Sequence, residues 1–207
     1  MKSRQEIKAI AKQNFKKSYG INIGVYIVYA IVISAVSGIT FGLGSIFIAL
    51  PLSVGLAFFS LCVYRAQELK FESMFTVGFT EYGRKLGGML WMELFTFLWS
   101  LLFVIPGIVK MYAYSLTPYI LADHPNVLAK DALKISMLVT KGHKGELFVM
   151  NLSFIGWMLL SGLTCGLLYI LYVGPYIYAT CAGYYEELMN NALTSGVISK
   201  EELRDLA

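Results

Sequence analysis

Charge is the first thing this chain lacks. Only 14% of its residues are Asp, Glu, Lys or Arg, and 57% are hydrophobic, whereas soluble domains carry about 25% charged residues. Several uncharged runs reach or approach the roughly 18 residues that mark a membrane-spanning candidate, so a water-soluble globule is excluded and an integral membrane protein is expected. Cysteine is scarce too. Cys62, Cys165 and Cys181 lie in or beside separate apolar runs; an odd number at such spacings is no disulfide framework, and no C-x-x-C pair is present to hold zinc. They read as small apolar residues. The two histidines, His124 and His143, fall in one basic stretch with no cysteine or carboxylate cluster beside them, which makes no metal site. The chain also has no G-x-x-x-x-G-K-[ST] loop, no H-E-x-x-H and no G-x-S-x-G, the patterns that position phosphates, zinc or a nucleophilic serine. No catalytic residue, metal ligand or cofactor is therefore assigned, the chain is expected not to be an enzyme, and no nucleic-acid partner is expected.

What is present is organised around Leu86 to Ala122, which holds only two charges, Glu93 and Lys110. Leu86 to Ile105 is long enough as a helix to cross a hydrocarbon core of about 30 Å. Pro106 and Gly107 follow and predict the turn of a hairpin, with Ile108 to Ala122 returning. Similar hairpins flank it: Ile21–Ile39 with Ser45–Tyr64, the latter interrupted by Pro51, and Leu147–Leu163 with Leu167–Tyr185, turning at Thr164-Cys165-Gly166 and kinked at Gly174-Pro175. The reading is all-α: a polytopic membrane protein of six transmembrane helices in three hairpins, each hairpin preceded by a cytoplasmic amphipathic helix. Residues 1–188 form a single transmembrane domain, and 189–207 a short cytoplasmic helical tail in which Ser199 and Glu202 make a capping box.

The three amphipathic segments lie before the hairpins. In the first, Ser3 and Glu6 form a capping box, Ile7, Ile10, Ala11 and Phe15 share one face, and Lys8, Lys12 and Lys16 the other. Such a helix either lies in a membrane interface or packs on the protein. Phe71, Met74, Phe75, Phe79 and Tyr82 mark the second. The third lies within Asp123–Glu146, with Pro125 in its first turn, an apolar stripe at Leu128, Ala132 and Ile135, and an end at Gly142. The N-terminal basic region is helical in pattern and the apolar run after it exceeds a signal-peptide core, so the first span is expected to be retained.

Cations fall on one side of this layout. Six Lys/Arg precede the first span, four lie in 65–85, four in 123–146 and two in the tail, leaving only Lys110 for the opposite face. The positive-inside rule makes the cation-rich face cytoplasmic, with both termini there and the protein in the cytoplasmic membrane. Anionic lipid headgroups at that face are the expected partners; no protein partner is read. The junctions FKKSYGINIG, EYGRKLGGML and TKGHKGELFV repeat a basic group beside glycine before an apolar run. Either this is a true threefold repeat or three hairpins simply need three basic turns.

Glu93 is the sharpest single residue. A charge at that depth costs about 2.5–3.5 kcal/mol on insertion scales, so it is expected to face the bundle interior. Asn22 and Asn151 enter at similar depth. Asn22, Glu93 and Asn151 either line a cytoplasm-facing polar cavity or only fix helix packing. Tyr169, Tyr172 and Tyr176 share one face of an ideal helix, and either line a groove for a lipid or amphiphile or pack in the core.

The run FVIPGIVKMYAYSLTPYILADHPNVLAKDALKISMLVTKGHKGELFVMNLSFIGW resembles a bacterial integral-membrane family known only as a domain of unknown function (family nine-seven-five), as do the start MKSRQEIKAIAK and the segment GPYIYATCAGYYEEL. The IPGI and A-L-K-x-S…K-G-H-K pattern is more weakly similar to the membrane domain attached to some glycerophosphodiester phosphodiesterases, and SGVISKEELRDLA resembles a C-terminal helical motif appended to many bacterial proteins. The family resemblance implies a multi-pass protein of the cytoplasmic membrane and carries over no activity or residue role. Two functional readings follow from the residues: a non-catalytic protein that binds lipid or an amphiphilic partner in envelope homeostasis or protection, and a small-solute transporter or channel built around Glu93.

Overall fold

Ser3 opens the first helix as its spacing predicts. Its hydroxyl accepts from the Glu6 amide at 3.3 Å and the Glu6 carboxylate accepts from the Ser3 amide at 2.7 Å, so two otherwise orphaned donors are satisfied. The computed structural model describes residues 2–41, 43–199 and 201–203. They form α1 (Arg4–Lys17), α2 (Tyr19–Ile39), α3 (Leu43–Tyr64), α4 (Ser73–Phe79), α5 (Tyr82–Leu102) and α6 (Val104–Tyr114). After these come α7 (Thr117–Asp123), α8 (Ala129–Val139), α9 (Lys144–Leu152), α10 (Ile155–Leu163), a π-helical turn (Tyr169–Val173) and α11 (Gly174–Thr194). No strand occurs among the described residues. Among the described residues three stretches are long and apolar enough to cross a membrane: Tyr19–Ile39, Ile46–Tyr64 and Lys144–Leu163, the last being α9 and α10 run together. The turn expected across 37–45 includes Gly42, and the tail helix includes Lys200 and residues 204–207, which lie outside the described residues. Within the tail, Ser199 and Glu202 do exchange capping bonds at 2.8 and 3.2 Å, and Ile198 and Leu203 are buried in the core.

Prolines shape the long helices by what they leave unbonded. Pro51 sits inside α3 and cannot donate to the carbonyl four residues back; that carbonyl, on Phe47, accepts instead from the Tyr82 hydroxyl at 3.0 Å. Pro175 likewise cannot bond within the preceding turn. There the chain widens to the π turn, in which the Gly174 amide reaches the Tyr169 carbonyl five residues back, a local adjustment that absorbs the missing bond. Pro118 stands in the first turn of α7 and so restarts a helix after a break at Ser115 and Leu116.

The expected hairpin turn at Pro106-Gly107 is in the wrong place. The reversal falls at Phe103, the single extended residue between α5 and α6 (φ −157°, ψ 144°). Pro106 lies in the first turn of α6, where its missing amide costs nothing. Gly107 is buried because α6 folds back hard against α5: a Cβ there would stand 2.7 Å from the Ser100 Cα. The Pro-Gly pair thus starts a helix and lets it pack closely.

The amphipathic segments divide between the two readings: α1 and α8 turn most of their apolar stripes inward, whereas Phe71, Phe79 and Tyr82 of the second segment are exposed. Ile7, Ala11 and Phe15 of α1 are fully buried, with α11 and α3 as neighbours. The third helix begins at Ala129, so Pro125 lies in the loop before it, and Ser136 and Thr140 of α8 both donate to the Ala113 carbonyl, at 2.8 and 3.3 Å. The second, α4, lies along the Pro51–Gly55 stretch of α3 so closely that a Cβ on Gly55 would fall onto the Met74 carbonyl oxygen. Backbone cannot yield there. Gly55→Ala is therefore expected to destabilise the protein by about 2 kcal/mol or more, read as a lower thermal midpoint in detergent, while the same change at Gly20, which has open space around it, leaves the midpoint unchanged.

Candidate functional site

Between the Pro51 stretch of α3 and the break between α6 and α7 lies a chamber of about 390 Å³. Its walls come from α3, α5, the α6–α7 junction, α9 and α11, and its polar groups are unusual in so apolar a chain: Glu93, Asn151, Cys181, Ser53, Ser115 and a set of tyrosines. Tyr112 accepts from Asn151 Nδ2 at 3.2 Å. Tyr119 donates to the Tyr178 carbonyl at 3.3 Å and stacks on Tyr185 at 5.6 Å. Ser53 and Ser115 donate to carbonyls in their own helical turns, at 2.6 and 2.9 Å. Most polar atoms of the chamber are thus already tied to the protein, as buried polar groups must be.

Glu93 differs from the rest. It is expected in the interior, yet its side chain is exposed. On α5, Met89 is buried while Leu90, Leu94 and Phe97 are exposed, and position 93 falls on the seam between these faces, at the gap between α3 and α5. The residue consequently lines two spaces: the chamber on one side and, on the other, an apolar groove of about 490 Å³ formed with Ile46, Leu50, Leu90, Leu94 and Phe97. Among the described residues no cation lies within 4 Å of its carboxylate.

Of the three residues proposed to share a cavity, Glu93 and Asn151 meet in the chamber and Asn22 does not. Asn22 is buried at the α1–α2 junction, where its amide donates to the carbonyls of Ser18 and Phe15 at 2.9 and 3.3 Å and closes the C-terminal end of α1. The three tyrosines also separate. The π turn breaks the ideal helical register, so Tyr172 and Tyr176 stay together at 6.0 Å while Tyr169 turns to the α2 side and packs on Gly174. Tyr172 and Tyr176 join Phe15, Phe154 and Trp157 at centroid distances of 5.2 to 5.7 Å, filling the space between α1, α10 and α11.

One polar centre escaped the sequence reading. Arg65, just past α3, forks onto both oxygens of Asp123 at the end of α7, each at 2.7 Å, and its Nε bonds Glu186 of α11. Tyr185 donates to Asp123 at 3.1 Å. Burial alone would push the Asp123 carboxyl up, but the Arg65 bonds and charge outweigh it and hold the group below the usual carboxylate range, while the same partners raise Arg65. The basic pair Arg84-Lys85 is similarly occupied. Arg84 donates to the carbonyls of Leu121, His124 and Val127, and Lys85, itself buried, to those of Thr80 and Val77, so each cation closes a helix C-terminus. Residues 58 and 121 positions apart in sequence make the Arg65 cluster, a separation that no local pattern encodes.

Among the described residues, geometry and composition define an all-helical protein with three helical stretches long enough and apolar enough to span a membrane. A family model described as "Protein of unknown function (DUF975)" matches residues 104–192, from α6 into α11, and supports assignment to that family. The likeness to glycerophosphodiester phosphodiesterase membrane domains is not shown by this match. No curated protein and no solved structure matches the chain.

The lowered Asp123 value has a consequence for acid stability. Its contribution is fully present above the ordinary carboxylate value of about 4 and is lost as pH falls through the lower folded-state value. Asp123→Asn is expected to lower stability at neutral pH by about 1.5–3 kcal/mol and to flatten the loss that the native protein shows below about pH 4. Thermal midpoints of both forms in detergent from pH 7 to pH 3 check this.

Proposed function

We propose that this chain is a non-catalytic, multi-pass protein of the cytoplasmic membrane that takes up an amphiphile with a cationic head at Glu93. The observation that carries the reading is the position of that carboxylate. It stands between a tyrosine-lined polar chamber and a leucine-lined groove, has no cation beside it among the described residues, and faces the side of the bundle. An amine head in the chamber mouth finds the Glu93 carboxyl group and the tyrosines that line the chamber; an apolar tail finds the groove. Either part alone leaves the other half of the site unfilled.

Six crossings with both termini cytoplasmic remain the threading we favour. Three uncharged reversals support it. They fall at Thr40-Phe41, Phe103 and Thr164–Gly166, and their flanks are among the most exposed apolar side chains: Ile39 80%, Phe41 96%, Ile105 76%, Leu163 82%. In water such surface is costly; in hydrocarbon it is not. Residues 104–122, taken through their break, and Lys144–Leu163 are each long enough for about 30 Å. A small-solute carrier open to the cytoplasm is the second reading; Asn22, which such a route would use, is already bonded at the α1–α2 junction.

Two experiments test these claims. In a background without Cys62, Cys165 and Cys181, an impermeant maleimide applied to right-side-out vesicles is expected to label cysteine introduced at Phe103 and not at Lys141; labelling of both or of position 141 alone overturns the threading. In nanodiscs of neutral lipid, a dansylated long-chain amine is expected to bind more tightly than the chain-matched carboxylate, and Glu93→Gln to weaken amine binding about tenfold or more. Equal binding of both probes, or an unchanged Glu93→Gln, overturns the ligand assignment.

A further inference from the structure

The other flank of α5 carries the opposite electrostatic character. Trp91, Phe95 and Trp99 follow at four-residue steps and so form one ladder along the helix; the first two stack with centroids 5.4 Å apart. Facing them, Lys110 of α6 sets its ammonium 4.9 Å from the Trp99 ring and 5.7 Å from that of Tyr114, within range of cation–π attraction. Lys130 and Lys134, one turn apart on α8, line the same groove, which encloses about 480 Å³. Lys110 is therefore not the isolated cation that the charge count along the chain suggests.

Three ammonium groups share this groove, and no carboxylate is among the residues that line it. Like charges one helical turn apart repel, and the lining of the groove carries no negative charge to offset that. The missing partner is an anion. The floor of the groove identifies its kind, because a small aqueous anion would leave Trp91, 49% exposed, and Trp99, 37% exposed, uncovered. An acyl chain covers both. The aromatic ladder also continues towards the Leu101–Ile105 reversal, whose side chains are 63–76% exposed, so a chain lying on the rings runs onto further apolar surface.

We infer that the groove between α5, α6 and α8 is a specific site for an anionic phospholipid. The lipid phosphate sits between Lys130 and Lys134, the more exposed pair. One acyl chain lies along Trp91, Phe95 and Trp99, and Lys110 reaches back along the rings towards the phosphate as a long amphipathic side chain does. This site is separate from the Glu93 chamber and stands or falls independently of it.

Tryptophan fluorescence in nanodiscs tests the inference directly. The full chain is placed in neutral lipid doped with phosphatidylglycerol or phosphatidylcholine brominated on the acyl chains. Brominated phosphatidylglycerol is expected to quench at a lower mole fraction than the choline lipid, and the difference is expected to vanish in Trp91→Phe/Trp99→Phe, which leaves Trp157 on the far aromatic cluster. Removing the three charges by Lys110→Met, Lys130→Gln and Lys134→Gln is expected to equalise the two lipids, whereas Lys12→Gln, Lys16→Gln and Lys17→Gln on α1 preserve the difference. Should the triple variant fail to fold, the exposed Lys134→Gln alone is expected to lower the apparent preference about fivefold. Equal quenching by the two lipids in the native protein overturns the site. So does equal loss in the α1 variant, which would mean general surface charge, or stronger quenching by a brominated free fatty acid than by the phospholipid.

Discussion

Arg65 holds three helices at one point. Its guanidinium takes both oxygens of Asp123 and one of Glu186, and so joins the end of α3 to the end of α7 and to the side of α11. A single dispersion contact is weak and not directional; a planar fork of donors fixes distance and angle together. Neighbouring contacts are registered by it. Asn14 of α1 donates to the Tyr64 carbonyl, one residue before Arg65, at 2.8 Å, and Lys2 pairs with Glu187, one residue after Glu186, at 2.8 Å. The N-terminal helix is thereby seated across the ends of α3 and α11.

Away from that cluster, order is maintained by satisfying backbone groups. Several helix interruptions have a named remedy: Tyr82 for the carbonyl freed by Pro51, the π turn before Pro175, and Arg84 and Lys85 for C-terminal carbonyls of α7 and α4. In an apolar surrounding an unpaired carbonyl costs several kcal/mol. Such breaks are accordingly tolerated where a neighbouring group can take the freed partner.

The functional reading rests on α5. Its inner face, with Met89 buried, packs into the bundle, and its two flanks carry opposite offers. One presents a carboxylate at the mouth of a tyrosine-lined chamber; the other presents an aromatic ladder beside three lysines. On the proposed reading, a helix with an acidic and a basic flank would sort amphiphiles by the sign of their heads while giving both kinds an apolar surface for the tail. Lipid on the basic flank would then also brace α5 against α6 and α8, the neighbours that shape the chamber behind it.

Much of this was legible in the residues. Apolar runs and the capping box of Ser3 and Glu6 placed the helices, because hydrophobic periodicity and end-capping are local properties. Glu93 stood out as well, since a charge inside an apolar run is conspicuous wherever the run folds, but its exposed place on the seam of α5 was not legible. Pro106-Gly107 misled because a proline that opens a helix and a glycine that lets helices touch have the same letters as a turn. Tyr169, Tyr172 and Tyr176 misled because a π turn changes the angular step that an ideal helix assumes. The Arg65 cluster and the gathering of Lys110 with Lys130 and Lys134 had no local signature at all. By itself, then, the sequence determined helices, their apolar character and the scarcity of charge, for these follow from neighbours along the chain. Only the tertiary structure decided which charges meet, which face of α5 opens outward and where each helix turns, because those depend on contacts between residues far apart in sequence and on backbone groups that only a folded neighbour can satisfy.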